Sequence, residues 1–386
     1  MATAPRGSLR FTRVRLANWR NFGRIDVELQ RRVFLAGPNA SGKSNFLDAF
    51  RFLSDIAAVG GGFQAAVQKR EGVSAIRSLA ARRYPNVEIE VSIGTDDSPK
   101  LWTYELAFSQ DAQRRQQIKR ERVMHQARLI LDRPERGDLE DPERLTQTFL
   151  EQVNANQQFR AVADFFSSVK YLHLVPELVR EPDRSVGRAN DPFGGDFLEQ
   201  VARTPKPTQA ARLRRIAEAL RVAVPQLQEL ELARDERGTP HLRGKYEHWR
   251  HKGAWQSEAQ FSDGTLRLLG LLWSVLDGVG PLLLEEPELS LHPEVVRWLP
   301  QLFARIQRRS TRQILTSTHS TDLLEDPGIG LDELLLLEPS GEGTVVEPAG
   351  SFEDVRTLLE AGIPLYEAVM PRIRPRQVEQ LALFGE

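Results

Sequence analysis

The sequence predicts an α/β fold, and three observations predict it. The apolar run at residues 33–36 leads into a glycine-rich loop and then into a helix-like segment at residues 45–53. A second apolar run, residues 281–284, ends in two carboxylates, and a β-rich run, residues 313–318, ends in a histidine. Because open α/β sheets bind ligands beyond the carboxyl ends of their strands, the polar residues that follow these runs are candidate site residues.

The glycine-rich loop, residues 37–44, matches the phosphate-binding pattern G-x-x-x-x-G-K-[ST]. Small residues let successive backbone N–H groups curl around a phosphate, and the helix that follows points the positive end of its dipole at the anion. In such a loop Lys43 reaches the β- and γ-phosphates and the hydroxyl of Ser44 binds Mg²⁺. The alternative is an ordinary glycine-rich turn. The predicted nucleotide-binding residues are Gly37, Pro38, Asn39, Ala40, Ser41, Gly42, Lys43, Ser44 and Asn45.

The second apolar run predicts a buried strand that carries Glu285 and Glu286 to the edge of the sheet. One acid at such a position can bind Mg²⁺ through water, and its neighbour can orient or deprotonate an attacking water. We assign the metal to Glu285 and the general base to Glu286. The alternative is a surface turn with two solvated acids.

Two further segments are weak signals when each is considered by itself. Residues 261–269 read as a polar turn and an amphipathic helix, for which Ser262 or Asp263 would by itself be an ordinary N-cap. Residues 313–320 read as a strand that ends in His319, and a single histidine at a strand end is usually an unremarkable surface or core residue.

Taken in order, these four segments and the opening Leu-Ala-Asn-Trp-Arg-Asn-Phe at residues 16–22 resemble the ABC-type ATPase heads of the SMC/RecF/OLD group. The chain looks most like the compact, AAA-like ATPases of that group. This resemblance implies a P-loop NTPase fold of the ABC type, with a mixed central sheet, an antiparallel side sheet and a helical lid insertion.

The resemblance also implies a mechanism in which two heads sandwich two ATP molecules, so the protein is expected to be a homodimer that uses ATP and Mg²⁺. The signature segment, Ser262, Asp263, Gly264 and Thr265, would contact the γ-phosphate bound to the partner subunit. His319 would sense the γ-phosphate in its own subunit, so Glu286, Lys43 and His319 are the expected catalytic residues. Arg20 and Asn21 would contact the nucleotide, and residues 288–292 would cross the dimer.

The chain departs from the resemblance at three points. The metal-binding acid is usually Asp, whereas Glu285 is one methylene longer. Asp263 stands where the large families have Gly, which sets a carboxylate close to the expected triphosphate. No residue is a clear glutamine loop, and Gln64, Gln147 and Glu177 are the candidates.

The expected organisation is one head divided by an insertion. Residues 1–110 form the first part of the head, 111–255 a largely helical lid, 256–365 the second part and 366–386 a flexible tail. Residues 87–93 and 101–108 predict a hairpin of the side sheet. The basic stretch at residues 113–122 could contact DNA phosphates, although a solvated edge strand or loop is the alternative.

Composition excludes several classes of protein. The 386 residues include 52 basic and 53 acidic ones, which argues against a uniformly basic nucleic-acid-binding body. With no cysteine there are no disulfides, thiolate metal sites or cysteine nucleophiles. No signal peptide or membrane-spanning apolar run is visible, so a cytoplasmic protein without a membrane partner is expected.

The expected function is ATP binding and hydrolysis coupled to DNA transactions in repair or anti-phage defence. The segment after His319 is too short for a nuclease domain, so any nuclease or other effector would be a separate protein. Residues 380–384, Gln-Leu-Ala-Leu-Phe, resemble a peptide that docks on the replication sliding clamp, and a terminal helix that folds back is the alternative. The rival function is a nucleotide-gated scaffold with little turnover that holds an effector inactive.

Overall fold

The computed structural model describes residues 8–81, 85–185, 191–247, 254–374 and 380. Within these residues the strands are β1 (Arg10–Trp19), β2 (Phe22–Glu28), β3 (Arg32–Ala36), β4 (Val87–Gly94), β5 (Trp102–Gln110), β6 (Gln116–His125), β7 (Arg128–Arg133), β8 (Lys170–Leu172), β9 (Leu227–Arg234), β10 (Pro240–Tyr246), β11 (Ala254–Ser257), β12 (Leu282–Glu285), β13 (Ile314–Thr318), β14 (Leu334–Ser340) and β15 (Gly343–Pro348).

The helices alternate with these strands along most of the chain. They are α1 (Lys43–Ala57), α2 (Phe63–Gln68), α3 (Val73–Ile76), α4 (Arg136–Glu140), α5 (Arg160–Ser167), α6 (Pro176–Arg180), α7 (Phe197–Arg203), α8 (Lys206–Leu220), α9 (Asp263–Leu276), α10 (Pro293–Val296), α11 (Leu299–Ser310), α12 (Thr321–Leu324), α13 (Glu353–Glu360) and α14 (Leu365–Ile373). The mixture of strands and helices confirms the predicted α/β class.

The chain divides into two compact units. Unit 1 comprises residues 1–170, 279–283 and 303–386, and unit 2 comprises residues 171–278 and 284–302. The expected lid began at residue 111, whereas residues 111–170 lie in unit 1. The physical reason is that β6 pairs with β5 and β7 pairs with β6, so both strands continue the antiparallel sheet.

The antiparallel side sheet lies in unit 1 and has the order β2-β1-β4-β5-β6-β7 among the described strands. The predicted hairpin is present, since β4 pairs with β5 from Val87 opposite Phe108 to Ile93 opposite Trp102. Alternate residues of these strands are buried and apolar, as a sheet with one covered face requires. The opposite face is charged, and Arg15 on it pairs with both Asp26 and Glu90.

The second sheet has the order β15-β14-β3-β13-β12-β8 among the described strands. Its centre is parallel, because β3 pairs in parallel with both β13 and β14. Every residue of β3 and β13 is buried, which explains why both strands read as continuous apolar or small runs rather than as alternating ones. This is the mixed central sheet that the resemblance implied.

A charged network is buried beneath the side sheet, in unit 1. Arg133 at the end of β7 donates to Glu121 of β6 and, through two nitrogens, to Asp138 of α4, at 2.9 Å in each case. All three side chains have zero exposure. Glu121 also accepts the hydroxyl of Tyr104 and the backbone N–H of Phe149. The network fastens the segment after β7 to the sheet.

Unit 2 has its own core. Three strands that lie wholly within unit 2 form the sheet β11-β10-β9, and α8 packs against β9 and α9. Helix α9 buries a continuous apolar stripe that includes Leu269 and Trp273, and Phe197 of α7 meets the Trp273 ring edge-on. The lid was expected to be largely helical, so the three strands here are a difference, and they arise because β10 pairs antiparallel with both β9 and β11.

In the part of the chain that the structure describes, no helix is both long enough and apolar enough to cross a membrane. Residues 381–384 of the peptide that resembles a clamp-docking motif lie outside the described residues.

Candidate nucleotide-binding site

The phosphate loop, residues 37–44, joins the end of β3 to the start of α1 in unit 1. Gly42 has φ 99°, in the left-handed region, and a Cβ there would lie 2.1 Å from Nδ2 of Asn21. A Cβ on Gly37 would lie 2.5 Å from the carbonyl oxygen of Leu337. Both glycines are therefore required by the backbone path, and α1 begins one residue after Gly42.

Lys43 and Ser41 show that the loop suits an anionic ligand. The Lys43 ammonium is buried and donates to the carbonyl oxygens of Gly37, at 2.9 Å, and Pro38, at 3.1 Å, which holds its charge within the loop. Ser41 is fully buried, and its Oγ has no hydrogen-bond partner among the described residues. A buried cation, an unsatisfied hydroxyl and the N-terminus of a 15-residue helix together fit a phosphate group.

His319 belongs to the same edge of the central sheet as the phosphate loop. In the parallel pairing of β3 with β13, Ala36 lies opposite Thr318, so the loop and His319 each follow directly after paired residues. His319 is exposed, and Ser320 after it accepts the N–H of Leu323 as the N-cap of α12. Unit 1 therefore brings together two of the expected catalytic residues, Lys43 and His319, at one sheet edge.

The turn between β1 and β2 supports the loop from the side. Asn21 donates its Nδ2 to the carbonyl of Ser41 at 2.9 Å and to Thr344 at 2.7 Å, and its Oδ1 accepts from Asn45 at 2.7 Å. Arg20 donates to the carbonyl of Ala75 at 2.9 Å. The side chain of Asn21 therefore braces the phosphate loop through hydrogen bonds within the protein. The contacts of Asn21 and Arg20 with a nucleotide stay predictions.

A cleft of about 1040 Å³ opens beside this turn. Its walls include Arg20, Asn45, Ser74, Arg77 and the backbone of Gly343. Asn45 directly follows Ser44 of the phosphate loop, so the cleft begins where the loop ends, and its lining offers amide, hydroxyl and guanidinium donors.

The acidic strand β12 ends in unit 2, where Glu285 and Glu286 are both half-buried. Glu286 has φ 45°, which places it in the left-handed region that a residue with a Cβ adopts at a cost of about 1 kcal/mol or more. The chain turns there, because the carbonyl of Glu286 accepts the N–H of Leu289. Carboxylate oxygen, which Glu285 supplies, is a ligand type that Mg²⁺ prefers.

Two residues of the segment that begins with β8 contact the acidic strand within unit 2. Tyr171 donates its hydroxyl to Oε2 of Glu285. His173 hydrogen-bonds to the backbone of Glu285, and burial lowers the pKa of its imidazole, although the charge of Glu286 acts in the opposite direction. The Nδ1 atom of His173 is buried and has no partner among the described residues. Tyr171 and His173 therefore orient the first of the two acids.

The signature turn, residues 261–265, forms the start of α9. Ser262 is the N-cap and accepts the N–H of Thr265 at 3.2 Å, while its Oγ lies 2.8 Å from Oγ1 of Thr265. A Cβ on Gly264 would lie 2.5 Å from the carbonyl oxygen of Ser290, so only glycine lets the turn approach the segment after the acidic strand. Ser262 itself is exposed.

Asp263, the unusual acid of the signature turn, is paired with Arg180 of α6. The same guanidinium nitrogen, Nη2, donates to the carbonyl of Phe261 at 2.8 Å. Arg267, one helical turn after Asp263, has a buried Nε without a partner among the described residues, and burial lowers its pKa.

Four residues of this site are not part of any sequence motif: Tyr171, His173, Arg180 and Arg267. One signal was available for two of them, because residues 169–175 alternate Val-Lys-Tyr-Leu-His-Leu-Val in the manner of a short strand. Of the three candidates for a glutamine loop, Gln64 and Gln147 lie in unit 1 and Glu177 lies in α6 of unit 2, four residues after His173. Arg180 and Arg267 had no signal, since nothing in a single sequence pairs an arginine with a distant acid.

Comparison with known proteins gives a consistent assignment of the fold. The profile of a family described as "AAA domain, putative AbiEii toxin, Type IV TA system" matches residues 32–325. An Smc head bound to the C-winged helix domain of ScpA is 11% identical, with a TM-score of 0.54, over 87% of this chain and 96% of that chain. A comparison with curated proteins finds no match.

Two further Smc heads are similar at the level of the fold. The head with an extended coiled coil bound to the C-terminal domain of ScpA, from Pyrococcus furiosus, is 12% identical with a TM-score of 0.50, over 92% of this chain and 99% of that chain. The head with a coiled coil and joint from Pyrococcus yayanosii is 10% identical with a TM-score of 0.51, over 92% of this chain and all of its own. Because the family profile spans most of the sequence, the chain belongs to the family described as "AAA domain, putative AbiEii toxin, Type IV TA system", and its fold is that of an ABC-type P-loop ATPase head similar to those of SMC proteins.

Proposed function

We propose that this protein binds ATP at the phosphate loop and hydrolyses it, in a cycle of dimerisation that is coupled to DNA and a partner protein. The observation that carries the proposal is the loop itself: a buried Lys43 and an unsatisfied Ser41 hydroxyl at the N-terminus of α1, with His319 at the same sheet edge. The buried cation, the hydroxyl and the helix N-terminus together favour a triphosphate as the ligand.

Hydrolysis is proposed to use Glu286 as the group that orients and deprotonates the attacking water. Its backbone adopts the left-handed conformation in the turn directly after β12. Lys43 stabilises negative charge on the transferred phosphoryl group, and His319 senses the γ-phosphate. Mg²⁺, when bound by Ser44 and Glu285, would neutralise charge on the β- and γ-phosphates. Tyr171 would keep Glu285 in place by its hydroxyl donation.

Dimerisation is proposed to occur through the signature turn. Ser262 is exposed and lies at the N-terminus of α9, whose dipole favours an anion there. In the proposed homodimer Ser262, Gly264 and Thr265 of one subunit approach the γ-phosphate that is held by Lys43 of the other. Closing and opening of the dimer would then follow the nucleotide state.

The coupled process is proposed to be a DNA transaction in repair or anti-phage defence, carried out with a separate effector such as a nuclease. Support comes from the family description, which names toxin–antitoxin systems, and from the Smc heads with bound ScpA, which show this fold docking a partner. Docking on a sliding clamp through residues 380–384 stays a prediction of the same kind.

Phosphate release tests the proposal directly. Wild-type protein with ATP and Mg²⁺ should release phosphate steadily, and Glu286→Gln should bind ATP with similar affinity but lose turnover by about 100-fold or more, as removal of a principal catalytic group does. Full turnover in Glu286→Gln would refute the assignment of the base. If the wild type assembles with ATP but releases no phosphate, the result would instead support the rival function of a nucleotide-gated scaffold. Asp263 and Glu285, which depart from the usual pattern, are the reason to test this rival.

A further inference from the structure

We infer that Arg180 is a positioning residue for the signature turn: it draws the Asp263 carboxylate to the side of α9, so that the N-terminus of this helix stays able to receive a phosphate. The inference rests on the proposed function, in which that N-terminus meets a triphosphate, and it adds a residue outside the recognised motifs. The inference also explains why the signature segment can contain an acid, Asp263.

Asp263 poses a definite electrostatic problem. It is the first residue of the 14-residue helix α9, where the positive end of the helix dipole attracts any anion. A carboxylate at this place competes with a phosphate for the same N–H groups, and it repels the phosphate as well. Its side chain is 47% exposed, so solvent screens this repulsion only in part.

Arg180 is held where it can relieve this problem. It is the last residue of α6, a short helix that starts with Pro176 and buries Val179, so its backbone is anchored while its guanidinium reaches α9. One nitrogen of the guanidinium contacts Asp263 and also the carbonyl of Phe261 at 2.8 Å. These two contacts flank Ser262 on both sides, so Arg180 fixes the direction of the N-cap as well as the charge of its neighbour.

The charges that face this turn depend on Arg180 for their balance. Arg267 on α9 interacts electrostatically with three acids, Asp263, Glu177 and Glu286. With Arg180 present, two arginines stand against these three carboxylates within unit 2. Without Arg180, one half-buried arginine would remain, and the entrance to the α9 N-terminus would become distinctly acidic.

A suppression experiment separates positioning from simple support of the fold. Arg180→Ala should lower kcat/KM for ATP by about 10-fold to 100-fold, the loss expected when a contact group is misplaced. Adding Asp263→Asn to Arg180→Ala should return kcat/KM to within about threefold of the wild type, because a neutral amide no longer repels the phosphate. If Arg180 only held α6 and the Phe261 carbonyl, Asp263→Asn would restore nothing, since it supplies no cation.

A matched pair in the same unit provides the control. Arg212 of α8 binds Asp277 at 2.7 Å, and Asp277 is the C-cap of α9, at the opposite end of this helix from the signature turn. Arg212→Ala should leave kcat/KM within about twofold of the wild type, because it does not change the charge beside the N-terminus of α9. Arg180→Lys, which keeps the charge but loses the fork geometry, should fall between the wild type and Arg180→Ala.

The same variants made in Glu286→Gln give a readout that does not need turnover. ATP should assemble Glu286→Gln into a dimer, Arg180→Ala should weaken this assembly, and Asp263→Asn should recover it. The inference is overturned if Arg180→Ala leaves kcat/KM and assembly unchanged, or if Asp263→Asn recovers neither. The proposed function still holds in that case, provided that the wild type hydrolyses ATP. A wild type that neither hydrolyses ATP nor assembles with it overturns both.

Discussion

Lys43 is the residue on which nucleotide binding most depends. Lys43→Ala removes two or more charge-assisted hydrogen bonds to phosphate oxygens, worth about 3 kcal/mol together, so the Kd for ATP should rise by roughly 100-fold. Isothermal titration or a fluorescent ATP analogue would measure this. Retained affinity would count against the phosphate loop as the binding site.

Lys69 offers the matched control for that measurement. It pairs with Asp55 on the surface of unit 1 at 2.9 Å, with 45% of its side chain exposed. Lys69→Ala removes the same charge without touching the loop, so its affinity for ATP should equal that of the wild type. Circular dichroism of both variants would establish that each one is folded.

At the scale of elements, the buried network that joins β6, β7 and α4 should dominate the local stability of unit 1. Arg133→Met leaves Glu121 without its cation in a fully buried site and leaves Asp138 with only Arg144, at 3.3 Å, so the free energy of unfolding should fall by about 3–5 kcal/mol. Urea unfolding would measure the loss. Arg136→Met, which breaks an exposed pair with Glu140, should change the free energy of unfolding by less than about 0.5 kcal/mol. Similar losses in Arg133→Met and Arg136→Met would contradict the dominant role of the buried network.

The strand β10 and the 3-10 turn before the signature are joined by a pH-dependent contact. His241 lies 2.7 Å from Glu258, which is buried, and 3.7 Å from Asp235. The hydrogen bond to Glu258, with smaller help from Asp235, raises the pKa of His241. The protonated imidazole therefore stabilises the fold fully below its unfolded pKa of about 6.5, and this contribution disappears as the pH rises through the higher folded pKa.

His241→Gln tests that contact, because glutamine cannot gain a proton in this range. The difference in melting temperature between wild type and variant should be larger at pH 5.5 than at pH 8.5. A difference that stays constant over this interval, or that grows towards alkaline pH, would show that the protonated imidazole contributes nothing.

Strand β6 also illustrates why a basic stretch is a weak sign of DNA binding. Arg120 pairs with Glu105 at 2.7 Å, Arg122 pairs with Asp132 at 3.1 Å, and Arg115 pairs with Asp111 at 2.9 Å. A cation that already faces a carboxylate offers little net charge to a phosphate backbone. These contacts favour the alternative of a solvated strand for residues 113–122.

At the scale of the whole molecule, nucleotide-dependent dimerisation is the central expectation. Glu286→Gln with ATP and Mg²⁺ should change from the 43.7 kDa monomer to twice that mass in light scattering, because trapped ATP keeps the signature turns engaged. Adding Ser262→Arg, which places a bulky side chain at the exposed N-cap of α9, should prevent this. Ser351→Arg, at another exposed serine, is the control, and loss of the dimer in that variant too would show that the effect is not specific to the signature.

The parts of the fold that local patterns specify were predictable. The apolar run before Gly37, the alternation in β4 and β5 and the polar turn before α9 each depend on residues close in the sequence, and the structure contains each of these elements. The boundary of the lid was less predictable, because β6 joins the side sheet through pairing with β5 rather than through any signal of its own. The network around Arg133 was invisible for the same reason.

The sequence by itself predicted the phosphate loop, which depends on residue types at short, fixed spacings, and the order of the loop, signature segment, acidic strand and His319 supplied the resemblance to ABC-type heads. Only the tertiary structure decided which side chains support them: Asn21 as a brace for the loop, Tyr171 on Glu285 and Arg180 on Asp263. Each of these contacts joins residues that are 20 or more positions apart. Such pairs arise from how the chain packs, and a single sequence carries no record of that packing.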